Sequence, residues 1–175
     1  MKRLIPIVLA MFPALASAQS GHFDNSPIRS FDLSEYLGTW YEIARFDHSF
    51  ERGMEGVTAE YSLRDDGKVD VINSGWKDGN YKVANGKARQ PESMENPAHL
   101  EVSFFLFFYS DYNVLMLDNM YRVALVGSGS PGYLWILSRT PQIDDDTKNA
   151  LLKEAQRRGY DTTGLIWVNQ DRNMK

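Results

Sequence analysis

The chain has 175 residues, with 19 Lys and Arg against 23 Asp and Glu and a formal net charge of −4. An acidic balance without a basic stripe argues against a nucleic-acid partner. There is no cysteine, so neither disulfides nor thiol chemistry contribute, and a chain of this length can bury a core of its own.

Residues 1–18 read as a secretory signal. Lys2 and Arg3 precede an apolar run from Leu4 to Leu15, and Ala16-Ser17-Ala18 supplies small residues for cleavage ahead of Gln19. The run is shorter than the roughly 20 apolar residues a membrane span needs. With no cysteine for lipid attachment, the expected location is the periplasm or the medium, without an anchor. Residues 19–30 are polar, contain Gly21 and Pro27, and are expected to form a loose lead-in to a single domain over 31–175. Phe31 to Leu37 predicts one short helical turn.

From Gly38 onward, strand-like runs alternate with turn signals. Eight such runs fall near 39–47, 56–63, 68–76, 80–88, 99–107, 112–118, 121–127 and 133–139. Turn-forming residues separate them: Asp65-Asp66-Gly67, Asp78-Gly79-Asn80, Pro91 to Pro97, Ser110-Asp111, Asp118-Asn119 and Gly127 to Gly132. Such short connections suit antiparallel neighbours. Lys82 and Lys87 have opposite parity in the fourth run, which predicts a bulge at Asn85-Gly86.

Alternation assigns an inner face. It holds Trp40, Glu42 and Phe46 on the first run, Val57, Ala59, Tyr61 and Leu63 on the second, and Val69, Val71 and Asn73 on the third. Leu100, Val102 and Phe104 follow on the fifth, Tyr112, Val114 and Met116 on the sixth, and Tyr133, Trp135, Leu137 and Arg139 on the eighth. The opposite face of the later strands is also apolar: Leu115 and Leu117, Ala124 and Val126, Leu134 and Ile136. A helix over 144–158 would cover it. Asp144, Asp145 and Asp146 stand at its start, Arg157 and Arg158 at its end, Gly159 stops it, and Ala150, Leu151, Leu152 and Ala155 form its apolar stripe. A last short strand follows at Leu165 to Val168. The predicted fold is all-β: an eight-stranded antiparallel up-and-down barrel with one C-terminal α-helix packed outside.

Catalytic and metal motifs fare poorly. Gly127-Ser128-Gly129-Ser130-Pro131-Gly132 spells Gly-x-Gly-x-x-Gly, but a strand follows it, whereas a dinucleotide fingerprint opens a helix. Asp47-His48-Ser49 puts a base beside a hydroxyl, yet neighbours in sequence rarely form a catalytic pair and no Gly-x-Ser-x-Gly elbow presents the serine. His22, His48 and His99 are scattered, so no metal site and no cofactor are expected. The run Phe104-Phe105-Leu106-Phe107-Phe108-Tyr109 stands out. Consecutive aromatics cannot all point inward, so some of Phe105, Phe107 and Tyr109 are expected at the surface, offered to a membrane, a partner or a second copy.

Gly38-x-Trp40 and, near the end of the barrel, Arg139 resemble the first and third motifs of the lipocalins. Asp118-Asn119-Met120-Tyr121 stands at the place of the second, with Leu117 for its usual Thr and Asn119 for its usual Tyr. The longer runs Trp40 to Arg45, Phe50-Glu51-Arg52-Gly53, Val102-Ser103-Phe104-Phe105, Tyr133 to Pro141 and Ile166-Trp167-Val168 with Gln170 are similar to the outer-membrane bacterial lipocalins, which are themselves similar to apolipoprotein D and the plant temperature-induced lipocalins. The resemblance implies Gly38, Trp40, Asp118 and Arg139 as structural signature residues, with Arg139 over Trp40 at the closed end. It also implies a cavity that binds a fatty acid or lysophospholipid in envelope maintenance. Its walls would be Phe46, Val57, Ala59, Tyr61, Asn73, Val102, Phe104, Tyr112, Val114, Met116, Tyr133 and Trp135. A barrel-based esterase or isomerase, and an interaction module using the aromatic run, are the competing expectations; turnover or a filled interior would favour them.

Overall fold

A computed structural model describes residues 23–91, 95–105 and 108–174. The expected signal over 1–18 lies outside these. Nine strands form one antiparallel sheet: β1 (Gly38–Arg45), β2 (Met54–Leu63), β3 (Val69–Lys77), β4 (Asn80–Arg89), β5 (His99–Phe105), β6 (Phe108–Leu117), β7 (Val123–Gly127), β8 (Leu134–Ser138) and β9 (Ile166–Trp167). β1 to β8 pair in sequence order. β1 pairs with both β2 and β8, which closes an eight-stranded barrel, while β9 pairs with Ala44 and Arg45 on the edge opposite β8, beyond the stretch that β2 occupies. A short helix α1 (Leu33–Tyr36) precedes the barrel, and α2 (Asp145–Arg157) lies outside it. Asp144 caps α2 by accepting from the Thr147 N–H at 2.7 Å.

Two apolar cores share the sheet. The inner one gathers Tyr36, Trp40, Tyr61, Val69, Val71, Val114, Val126 and Leu137. The outer one sets Leu151 and Ala155 of α2, with Tyr160, against Ile43, Leu115, Leu125, Leu134 and Ile136. Gly127 borders it: a Cβ there would stand 2.4 Å from the Tyr160 hydroxyl, so no larger residue fits.

Several expectations need correction. The sheet register shifts between Glu42 and Ala44 in β1 and between Val114 and Met116 in β6. Each shift inserts one extra residue and breaks the alternation. Ile43 and Ala44 therefore both face outward, as do Leu115 and Met116, and Leu117 turns inward. Met116 is thus not in the interior. In β7 the inward residues are Ala124 and Val126, and Leu125 faces α2, the reverse of the expected assignment. No bulge occurs at Asn85-Gly86, where β3 and β4 pair without interruption. Ser110 and Asp111 lie within β6, opposite Val102 and Glu101, so the connection from β5 falls earlier than expected. Residues 23–30 are tied down. The Ile28 N–H donates to the Val114 carbonyl at 2.9 Å, and Arg158 donates to the Ser26 carbonyl at 2.8 Å.

The closed end is built around Arg139. Its guanidinium lies 3.9 Å from the centre of the Trp40 ring and donates to the carbonyls of Glu35, Tyr36, Leu37, Thr39 and Tyr121. Trp40 is fully buried and donates its indole N–H to the Tyr36 carbonyl at 2.8 Å. Asp118 organises the neighbouring turn by accepting from the Arg122 and Val123 N–H groups.

Trp40→Ala should therefore destabilise the fold by about 3–5 kcal/mol, as for other buried aromatics. Arg139→Ala should cost less, and the two effects should be non-additive because the groups touch. Denaturant titration of both single variants and the double variant measures this; strict additivity would show that the stack contributes nothing as a pair.

Candidate functional site

The barrel encloses a cavity of about 780 Å³, within the roughly 300–1,000 Å³ usual for small-molecule sites. Apart from the Asn73 amide of β3, its walls are mainly apolar or phenolic: Val57, Ala59 and Tyr61 of β2, Val71 of β3, Val102 of β5, Tyr112 of β6, Val126 of β7, and Trp135 and Leu137 of β8. Its mouth is aromatic. Phe50, Phe104, Phe108 and Tyr133 line it and are 63%, 45%, 74% and 41% exposed, which places four rings around the opening. Phe104 sits across Gly86 of β4, where a Cβ would come within 2.7 Å of its ring, so the glycine is what admits it. Lys77 and Lys82, from the β3–β4 hairpin, also border the cavity.

One wall carries charge. Glu42 of β1 and Glu51 of the β1–β2 connection line the cavity, and both are buried. Arg45 lies between them. It donates to Glu42 at 2.8 Å and to the Glu51 backbone carbonyl at 2.7 Å, with its Nε 3.7 Å from the Glu51 carboxylate. The Trp135 indole N–H reaches the same carboxylate at 3.2 Å. Two acids thus share one guanidinium. Burial, with the neighbouring Glu51 carboxylate, pushes Glu42 up to about 8 against the attraction of Arg45. Burial also raises Glu51. The His48 ring stacks 4.7 Å from Tyr133, 5.0 Å from Trp135 and 5.2 Å from Phe50, and burial, then the Arg45 charge, lower its pKa. Asp47 turns away to a salt bridge with Arg52 at 2.7 Å, and the buried His48 Nε2 has no hydrogen-bond partner among the described residues, the Ser49 hydroxyl included.

Of the expected lining residues, Val57, Ala59, Tyr61, Asn73, Val102, Phe104, Tyr112, Tyr133 and Trp135 border the cavity. Three do not. Phe46 lies past the β1 bulge and packs on Tyr160 in the outer core, with ring centres 6.3 Å apart. Met116 follows the β6 bulge outward. Val114 points inward but is wholly buried among Trp40, Tyr61 and Ala124, below the open space. In the aromatic run, Phe104 and Phe108 are 45% and 74% exposed, while Arg89 covers Tyr109 at 4.1 Å; the side chains of Phe105 and Phe107 lie outside the described residues. Sequence reasoning missed Arg45, Phe50 and Glu51. Arg45 left a trace, a charge inside a strand-like run; Phe50 and Glu51 sit in a connection, where alternation says nothing. Among the described residues no group of three or more potential ligands could hold a metal ion.

The model of the lipocalin-like domain matches residues 31–170. The chain is 48% identical over 174 residues to the outer membrane lipoprotein Blc of Escherichia coli (strain K12), covering 96% of this chain and 98% of that one. It is 35% identical over 156 residues to apolipoprotein D of Bos taurus, covering 82% of this chain and 81% of that one. Among solved structures, insecticyanin from the tobacco hornworm Manduca sexta superposes with a TM-score of 0.69 at 22% identity, over 83% of this chain and 84% of that one, a likeness of fold. The first of these findings corrects the expected location. Relatives matched along nearly the whole chain are called outer membrane lipoproteins, which overturns the expectation of an unanchored periplasmic or secreted protein drawn from the missing cysteine.

The charged wall predicts a pH dependence. Folding raises Glu42 from an ordinary 4.5 to about 8, so the folded chain binds more protons than the unfolded chain between those values. Stability from this group is then full below about pH 4.5 and is lost as pH rises through about 8. Glu42→Gln should remove that loss. Denaturant midpoints at pH 5 and pH 8.5 should fall more steeply for the unaltered protein than for the variant. Equal slopes would show that Glu42 is ionised throughout.

Proposed function

The chain belongs to the lipocalin family, whose members bind small hydrophobic ligands, and from that premise we propose that its cavity binds and carries a fatty acid or lysophospholipid in maintenance of the cell envelope. One observation carries the reading: a cavity of about 780 Å³ with mainly apolar walls opens through a ring of exposed aromatic side chains. Transfer of an acyl chain from water into such a space is favourable by about 0.8 kcal/mol per methylene. A long chain thus offers on the order of 10 kcal/mol gross, from which association removes about 4–15 kcal/mol. At the low end of that cost about 6 kcal/mol remains, which corresponds to a Kd in the tens of micromolar. The protein acts as a binder that returns its ligand unchanged. Phe50, Phe108 and Tyr133 give the mouth an apolar face for loading from a lipid surface, with Lys77 and Lys82 beside it to meet anionic headgroups. Residues 1–18, with Lys2 and Arg3 ahead of an apolar run, act as an export signal.

Trp135 reports on the cavity. It is half-buried, lines the cavity and is held by Glu51. Palmitate or a lysophospholipid should change its fluorescence on titration, with Trp135→Phe as the spectral control. Trp135→Ala should weaken binding while the fold persists. Calorimetry that detects no binding at tens of micromolar protein would refute the carrier reading for these ligands.

A further inference from the structure

The deep end of the cavity is made of phenols. Tyr61 and Tyr112 line it, and Tyr36 of α1 lies behind them. The Tyr112 hydroxyl stands 2.7 Å from that of Tyr36 and 3.0 Å from that of Tyr61. Each phenol owns one O–H donor. Two hydrogen bonds use two of the three hydrogens, and no other described group accepts from these hydroxyls. Whichever way the hydrogens run, one donor is left over. Reversing the chain of hydrogens places it on Tyr61 or Tyr112, on the cavity side.

A second feature favours an oxygen atom there. Arg139 lies just beyond the floor, stacked on Trp40, which in turn lies 4.8 Å from the Tyr36 ring. Its hydrogen bonds all go to backbone carbonyls, and it has no carboxylate partner among the described residues. Its positive charge reaches the phenols, whose ionisation burial pushes still further above neutral pH. The upper wall is the opposite. There Arg45 is engaged by both Glu42 and Glu51, so its guanidinium is already committed to acids of the chain itself.

We propose that Tyr61 and Tyr112 form a floor subsite for a carbonyl oxygen, so that an acyl ligand enters carboxyl end first and is held as the neutral acid. This rests on the reading that the cavity carries an apolar ligand. It adds the ligand's direction and the chemical class of its buried end. The acid is held neutral because an ionised carboxylate would lose far more hydration than one spare donor restores.

Palmitate labelled with carbon-13 at its carboxyl carbon tests this with the unaltered protein. The bound carboxyl signal should keep the shift of the neutral acid at pH values where the free acid has ionised, and should be shielded from a soluble paramagnetic agent. The double variant Tyr61→Phe, Tyr112→Phe should bind palmitate about three- to tenfold more weakly, the loss expected for one hydrogen bond. It should bind the all-hydrocarbon fluorophore diphenylhexatriene unchanged. A bound carboxyl that titrates in the ordinary carboxylate range and is open to the paramagnetic agent overturns the head-down arrangement while leaving the carrier reading intact. Absence of any bound signal and of any calorimetric heat overturns the carrier reading for fatty acids, and this inference with it. If the double variant fails to fold, the spectrum of the unaltered protein decides alone.

Discussion

The barrel depends on one guanidinium. Arg139 stands at the closed end with Trp40 on its face and five carbonyls around its edge, from α1, the start of β1 and the β6–β7 turn. Those segments are far apart in sequence, and none could close the end alone. The carbonyls of α1 are the unsatisfied last turn of a four-residue helix, which needs an outside donor. Arg139 supplies it and orients α1, which places Tyr36 beneath the cavity. Half-burying this cation with no acidic partner among the described residues is costly in itself, and the dense set of hydrogen bonds offsets that cost.

The number and order of strands, the short helix before them and the external helix after them were all legible in the sequence. Each rests on a local signal: turn residues between alternating runs, an acidic start and a basic end to α2, and Gly159 beyond it. What alternation could not show was where it breaks. A bulge adds a single residue and leaves no mark in composition, yet it reverses every assignment downstream. Phe46 and Met116 were misplaced for this reason, each lying just beyond a register shift. Where β2, β3 and β8 keep regular pairing over the stretch concerned, the inward residues Ala59, Tyr61, Asn73 and Trp135 were read correctly.

The site was legible to the extent that it is strand. Its apolar walls follow from parity, but its polar features depend on tertiary approach. Glu51 comes from a connection and reaches Arg45 and Trp135 only once β1 and β8 are paired. The tyrosine cluster joins α1, β2 and β6, three segments with no sequence relation. The interior is therefore polarised along its length, acidic at one level and hydrogen-bond donating at another. An apolar lining alone would have implied no such direction.

The second core beneath α2 has a consequence for how such a protein changes over time. Leu115, Leu125, Leu134, Ile136, Leu151 and Ala155 are wholly buried outside the barrel, so much of the folding free energy is secured without reference to what the cavity holds. Residues on the cavity side border space instead of close-packed neighbours, and substituting them leaves smaller voids relative to the starting state. Mutations that reshape the pocket are thus tolerated more readily than mutations of the sheet's outer face. Binding preference can drift from lineage to lineage while the scaffold stays fixed.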